Sequence, residues 1–199
     1  MNHLPQHLVL MSKAPRIGRT KSRLAKDIGW ARAWAFHRTL LFATARKLRD
    51  PRWQGWLSVT PDVAVHDSRQ FPPGWTLIGQ GPGDLGDRML RPWLTLPPGP
   101  VVIAGSDIPA ITPAHIAAAF QALGANDLVF GPATDGGYWL VGAKRRPCLL
   151  NPFQGVQWST AQALSDTLAR VPKGYKVAFI ESLSDVDDGA DFSAKPSAL

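Results

Sequence analysis

Cysteine is almost missing: Cys148 is the one thiol in 199 residues. A single thiol closes no internal disulfide and builds no cysteine-cluster metal site, and a reducing cytoplasm is the simplest compartment for such a chain. Glutamate is as scarce, with Glu181 standing against fourteen aspartates. Several of those aspartates sit beside Gly, Pro or Ser, which places them in turns and at strand ends rather than on helix faces. No apolar run approaches the roughly 18 residues that span a bilayer, so no membrane partner is expected. Met1 to His7 carries neither the basic start nor the apolar stretch of a secretory signal, and a cytoplasmic location is the expectation. Hydrophobic residues at 45% and charged residues at 19% argue against disorder. The length suits one domain over residues 1–199.

What the chain does have is an uneven charge. Between Lys13 and Arg52 stand twelve Lys or Arg and two acids, Asp27 and Asp50, a local +10; the rest of the chain nets −3. Such a segment is a solvated face or meets an anion. Periodicity predicts strands at His7–Met11, Gly55–Thr60, Trp75–Gly79, Val101–Ala104, Asp127–Phe130, Tyr138–Val141 and Lys176–Ile180. Helices are predicted over Arg23–Arg49 with a break near Gly29, over Asp84–Leu94 with Pro92 bending or ending it, and over Pro113–Leu123. A last helix is predicted over Ser159–Leu168, capped by Ser159 or Thr160. Ser182–Asp191 reads as an acidic loop, and Ser193–Leu199 as a loose tail. Strands alternating with helices predict a mostly parallel sheet in an α/β fold.

Five segments have the residue types of a site. Lys13, Arg16, Arg19, Lys21 and Arg23 follow the first strand, where ligands of α/β sheets bind, and they suit phosphate oxygens. A solvated basic loop has the same composition; a P-loop is excluded because Lys21-Ser22 lacks its pair of glycines. Asp107, in Ala104-Gly-Ser-Asp-Ile-Pro109, leaves the strongest strand, where a carboxylate holds Mg²⁺ or closes a turn. Asp185 and Asp187 are two apart, so in extended chain they share a face and repel unless a cation holds them. Gly136-Gly137 allows close approach to a ligand or makes a tight turn. Ser159 and Thr160, after Trp158, offer hydroxyls to an anion.

Together these segments make the sequence recognisable. Lys13-x-Pro15-x-x-Gly18-x-x-Lys21-Ser22-Arg23-Leu24 resembles the opening motif of a bacterial glycosyltransferase-like family. That family belongs to the nucleotide-diphospho-sugar transferase superfamily, of GT-A fold, and is related to phospholactate, phosphoenolpyruvate and molybdenum-cofactor guanylyltransferases. The resemblance continues in family order through Gln80-Gly-Pro-Gly-Asp-Leu-Gly-Asp-Arg-Met89, Gly105–Pro109, Gly131–Tyr138, Trp158–Thr160 and Asp185–Asp187. Ser22 stands where Thr is usual, Thr20 where an aliphatic residue is, and Asp188-Gly-Ala where Thr-x-Glu is.

The resemblance implies a Rossmann-like three-layer α/β/α domain whose sheet has one antiparallel strand, Tyr138–Val141. It implies nucleotide binding by Lys13, Gly18, Lys21, Ser22, Arg23, Gln80, Leu85 and Gly86. It implies acceptor binding by Thr134, Asp135, Gly136, Ser159 and Thr160, and Mg²⁺ or Mn²⁺ on Asp107, Asp185 and Asp187. Lys13, Arg23 and Asp107 would carry catalysis. The expected partners are a nucleotide or nucleotide sugar and a small-molecule acceptor. Glycosyl transfer and nucleotidyl transfer both build negative charge on phosphate oxygens, and both stay open. A non-catalytic nucleotide binder is an alternative. A nucleic-acid binder, invited by a pI near 10 and eight Trp, is less favoured because no DNA- or RNA-binding motif is present.

Overall fold

A computed structural model describes residues 4–147 and 149–193. Cys148 and residues 194–199, most of the expected loose tail, lie outside them. Seven strands form one sheet in the order β3-β2-β1-β4-β6-β5-β7. They are β1 Gln6–Lys13, β2 Trp53–Thr60, β3 Thr76–Gly79, β4 Val101–Gly105, β5 Leu128–Pro132, β6 Tyr138–Ala143 and β7 Val177–Phe179. β6 alone runs against its neighbours, pairing antiparallel with both β4 and β5. The mostly parallel sheet with one antiparallel strand is therefore observed as expected.

The layers follow from strand alternation. Leu8 and Leu10 of β1, with Val102 and Ala104 of β4, pack against Leu41, Ala45 and Leu48 at α2 (Trp30–Lys47) and Ile116, Ala119 and Phe120 of α4 (Pro113–Ala125). Val9, Val101 and Ile103 face the other way, onto Met89 and Trp93 of α3 (Leu85–Thr95) and Leu164 and Leu168 of α5 (Ala163–Ala169). α1 (Ser22–Ile28) precedes α2, and Gly29 at φ 84 makes the expected break. Both long helices after loops start on capping boxes: Asp84 with Asp87 for α3, and Thr112 with His115 and Pro113 for α4.

α3 keeps its expected range to within a residue at each end and runs through Pro92 to Thr95, with Leu96 N–H bonded to the Pro92 carbonyl and Pro92 and Trp93 buried against the core. Two expectations change. α5 begins at Ala163 without a side-chain cap; Ser159 has φ 62, and the Thr160 hydroxyl is engaged in its own turn, donating to Gln157 O at 2.8 Å. The acidic segment ends in a helical turn, α6 (Gly189–Ser193), because Asp188 Oδ1 accepts from the N–H groups of Ala190 and Asp191.

Candidate functional site

Parallel β1 and β4 are neighbours, with Met11 opposite Gly105, so the loops leaving their carboxyl ends emerge side by side. The chain departs from β1 toward β2 on one side and from β4 on the other, the switch point at which open α/β sheets bind ligands. Reversed β6 presents its first residue, Tyr138, at this same edge. Beyond β7 the chain follows β5: Leu183 N–H bonds Pro132 O at 3.1 Å, and Ala133 and Leu183 pair as an isolated bridge. Val186 is then fully buried. Its inward side chain turns Asp185 and Asp187 to the other side, together.

That path brings Asp107, Asp185 and Asp187 into one cluster, with one carboxylate oxygen from each within 4.8 Å of the others. Lys21, at φ 50 and ψ 51 ahead of α1, sends its ammonium into the cluster. Nζ donates to Asp107 Oδ2 and Asp187 Oδ1, each at 2.8 Å, and to Val186 O at 2.7 Å. The Lys21 side chain is only 8% exposed, whereas that of Arg23, 3.6 Å from Asp187 Oδ2, is 72% exposed.

The charges are strongly coupled. Burial works against the Lys21 ammonium, but Asp107 and then Asp187 outweigh it and raise its pKa. Burial likewise opposes the Asp107 carboxylate, and Lys21 holds it below its ordinary range nonetheless. Lys21 favours the Asp185 carboxylate more weakly and gives its three hydrogen bonds elsewhere. Burial, reinforced by Asp187 and Asp107, pushes Asp185 up to about 6.

A pocket of about 460 Å³ opens beside the cluster. Lys13, Lys21, Ser22 and Arg23 line it with Asp107 and Asp187, as do Gln80 and Leu85; Asp185 is not in the lining. The Gln80 amide donates to Ser12 O at 3.2 Å and Ser58 O at 3.0 Å, tying β1 to β2 at the pocket floor. Gly18 is at the loop's turn, at φ 78, and does not line the pocket. Gly86 lies behind the lining: a β-carbon there would stand 2.8 Å from Phe153 Cβ and Trp158 Cζ2.

Thr134, Asp135, Gly136, Ser159 and Thr160 are also outside the lining. Gly136, at φ 87, abuts the Ala161 carbonyl and accepts from Leu164 N–H at 3.1 Å, so these two segments pack on each other. Thr134 joins them to the acidic loop through Ser184, oxygen to oxygen at 3.0 Å.

Among the lining residues that the sequence reading did not assign to the site are His37 and Arg88. His37 is buried on α2, with Nε2 3.0 Å from the Lys13 carbonyl, and burial lowers its pKa. Its signal was present, a histidine within the buried Ala33–Leu41–Ala45 stripe of the helix. Arg88 lies one turn into α3, its Nε donating to Gly83 O at 3.1 Å.

Sheet order and helix layers define the nucleotide-diphospho-sugar transferase fold. A Desulfovibrio desulfuricans G20 protein classed with those transferases superposes with a TM-score of 0.87 at 24% identity, covering 97% of this chain and 89% of that one. A CMP:2-keto-3-deoxy-manno-octonic acid synthetase complexed with CTP gives 0.59 at 14% identity, with 96% of each chain covered. Glucosyl-3-phosphoglycerate synthase from Mycobacterium tuberculosis, in complex with Mn²⁺, UDP and glucosyl-3-phosphoglycerate, gives 0.52 at 12% identity, covering 95% and 74%. The chain belongs to the family described as "Uncharacterized protein conserved in bacteria (DUF2064)", whose profile matches residues 43–160. That match includes Asp107 and the Gln80–Met89 motif; the β1 loop and the Asp185–Asp187 pair lie outside it. No curated protein sequence matches the chain. Among the described residues, no helix is long and apolar enough to cross a membrane.

Proposed function

We propose that the chain is a cytoplasmic, divalent-metal-dependent transferase that binds a nucleoside triphosphate or nucleotide sugar and passes its nucleotidyl or glycosyl group to a small acceptor. One observation carries this reading: three cations of the β1 loop and the carboxylates of Asp107 and Asp187 line one pocket at the sheet edge, with the Asp185 carboxylate clustered beside them. The donor set fits the metal, since Asp107, Asp185 and Asp187 offer hard oxygens, as Mg²⁺ and Mn²⁺ prefer. Bound there, the ion would supply positive charge to phosphate oxygens as negative charge builds on them.

The chain's own residues do the rest. Lys13 and Arg23 neutralise phosphates from the rim, and Ser22 offers its hydroxyl. Gln80 and Leu85 flank the nucleotide, Gly86 lets α3 sit close to Phe153 and Trp158, and Gly18 turns the basic loop. Thr134, Asp135, Gly136, Ser159 and Thr160 form the acceptor side. The nucleotide-bearing and Mn²⁺-bearing complexes of the two distant structures support the reading, as both were captured on this fold.

A thermal-shift panel of nucleotides and nucleotide sugars, with and without Mg²⁺ or Mn²⁺, tests it. A ligand at one hundred times its Kd stabilises by about 2.7 kcal/mol. At least one should do so only with metal, and Asp107→Asn should abolish that gain while leaving the unliganded fold intact. A panel in which nothing stabilises the protein sinks the proposal. Pyrophosphate release marks nucleotidyl transfer, nucleoside diphosphate release marks glycosyl transfer, and binding without turnover leaves a nucleotide sensor.

A further inference from the structure

We infer that Lys21 is a built-in counter-ion that occupies the metal position, and that a divalent ion enters only as the Lys21 ammonium leaves; this rests on the metal-binding reading above. An ammonium has three N–H donors and no more. All three are used inside the cluster, on Asp107 Oδ2, Asp187 Oδ1 and Val186 O, at 2.7–2.8 Å. Lys21 therefore has no donor left for a phosphate in this arrangement, although it lines the pocket. The three carboxylate oxygens lie within 4.8 Å of one another. A divalent ion binds such oxygens at about 2.0–2.1 Å for Mg²⁺. Ion and ammonium would then share the same anions at close range, and like charges at that distance repel strongly.

The fold lets Lys21 leave without loosening the acids. Asp27, at the other end of α1, accepts from Gly189 N–H at 2.8 Å, and Phe192 meets Phe36 edge-on with ring centroids 5.2 Å apart. These contacts fasten the acidic segment to α1 and α2 independently of Lys21. The released ammonium enters a pocket already lined by Lys13, Ser22 and Arg23, where its three donors become free for phosphate. One lysine thus alternates between balancing the metal-free acids and holding the nucleotide, so that each ligand favours the other.

The test uses the full chain and Mn²⁺ alone. Lys21→Met should bind Mn²⁺ at least tenfold more tightly than wild type in a calorimetric titration. Equal or weaker binding overturns the inference while leaving the metal reading intact. No Mn²⁺ binding by either protein overturns both. Should Lys21→Met fail to fold, wild type suffices: acetic anhydride labelling read by mass spectrometry should modify Lys21 slowly without metal and several-fold faster with Mg²⁺. A Lys21 labelling rate that Mg²⁺ leaves unchanged or slows overturns the inference.

Discussion

At the scale of single residues, three aspartates near one another experience opposite electrostatics. Asp107 is held ionised by Lys21, whereas Asp185 is pushed up to about 6 by burial and then by its two acidic neighbours. An unfolded aspartate titrates near 3.9. Because folding raises the Asp185 pKa, its favourable contribution is complete below about pH 4 and is lost as pH rises through about 6. Asp185→Asn should remove that loss. The variant's stability relative to wild type should therefore be greater at pH 7 than at pH 4.5, as read from urea midpoints without metal. Adding Mg²⁺ should close the gap at pH 7 by favouring the wild-type carboxylate. A stability difference independent of pH would show that Asp185 titrates as an ordinary surface acid. Its pairing with Asp187 was legible from a spacing of two in extended chain. The inward turn of Lys21 was not, because a basic loop carries no sign of which cation faces an acid three strand ends away.

Elements placed the site more legibly than its details. Alternating apolar runs marked each of the seven strands, and Gly29 marked the helix break. The cap of α5 was misread because Ser159 and Thr160 look like cap residues, while the turn that uses the Thr160 hydroxyl depends on the Gln157 carbonyl beside it. The extent of α3 past Pro92 was legible, whereas the burial of Pro92 and Trp93 that seats it shows in no local pattern. That helix also carries Leu85, Arg88 and Met89 into the pocket lining, so its seating matters. Gly86 sets it: a β-carbon there would stand 2.8 Å from both Phe153 Cβ and the Trp158 ring, and 3.1 Å from the Phe153 carbonyl. Gly86→Ala should cost about 1–3 kcal/mol by overpacking. For a chain this size each kcal/mol lowers Tm by roughly 2–4 °C. Nucleotide binding should weaken along with stability, since the helix can make room only by moving the lining. A variant with unchanged Tm and affinity would mean that the Phe153 backbone and the Trp158 ring yield freely.

Across the whole molecule, the +10 of the Lys13–Arg52 segment runs from the end of β1 through α1 and α2, while Asp107, Asp185 and Asp187 gather at one edge of the sheet. A polyelectrolyte face and a phosphate pocket both use such charge, but they differ in range. Nucleic acid engages many cations at once, and its affinity falls about 10³–10⁵-fold between 50 and 200 mM salt when six to ten phosphates are contacted. On the proposed reading, a nucleotide would meet only the few cations that line the pocket, Lys13 and Arg23 among them. Arg23 is exposed and 3.6 Å from Asp187, so its ion pair is worth little to stability. Arg23→Ala should therefore leave Tm nearly unchanged and weaken nucleotide binding by about 1.5–3 kcal/mol, the value of a hydrogen bond to a charged group. The same substitution removes one cation of twelve in the basic segment and should barely alter binding to generic duplex DNA. Titrating nucleotide and DNA against wild type and Arg23→Ala at 50 and 200 mM salt separates the two. The pocket reading requires a large, salt-tolerant loss for the nucleotide and weak DNA binding throughout. Tight DNA binding that collapses with salt, with no nucleotide defect in the variant, would return the basic segment to a nucleic-acid face.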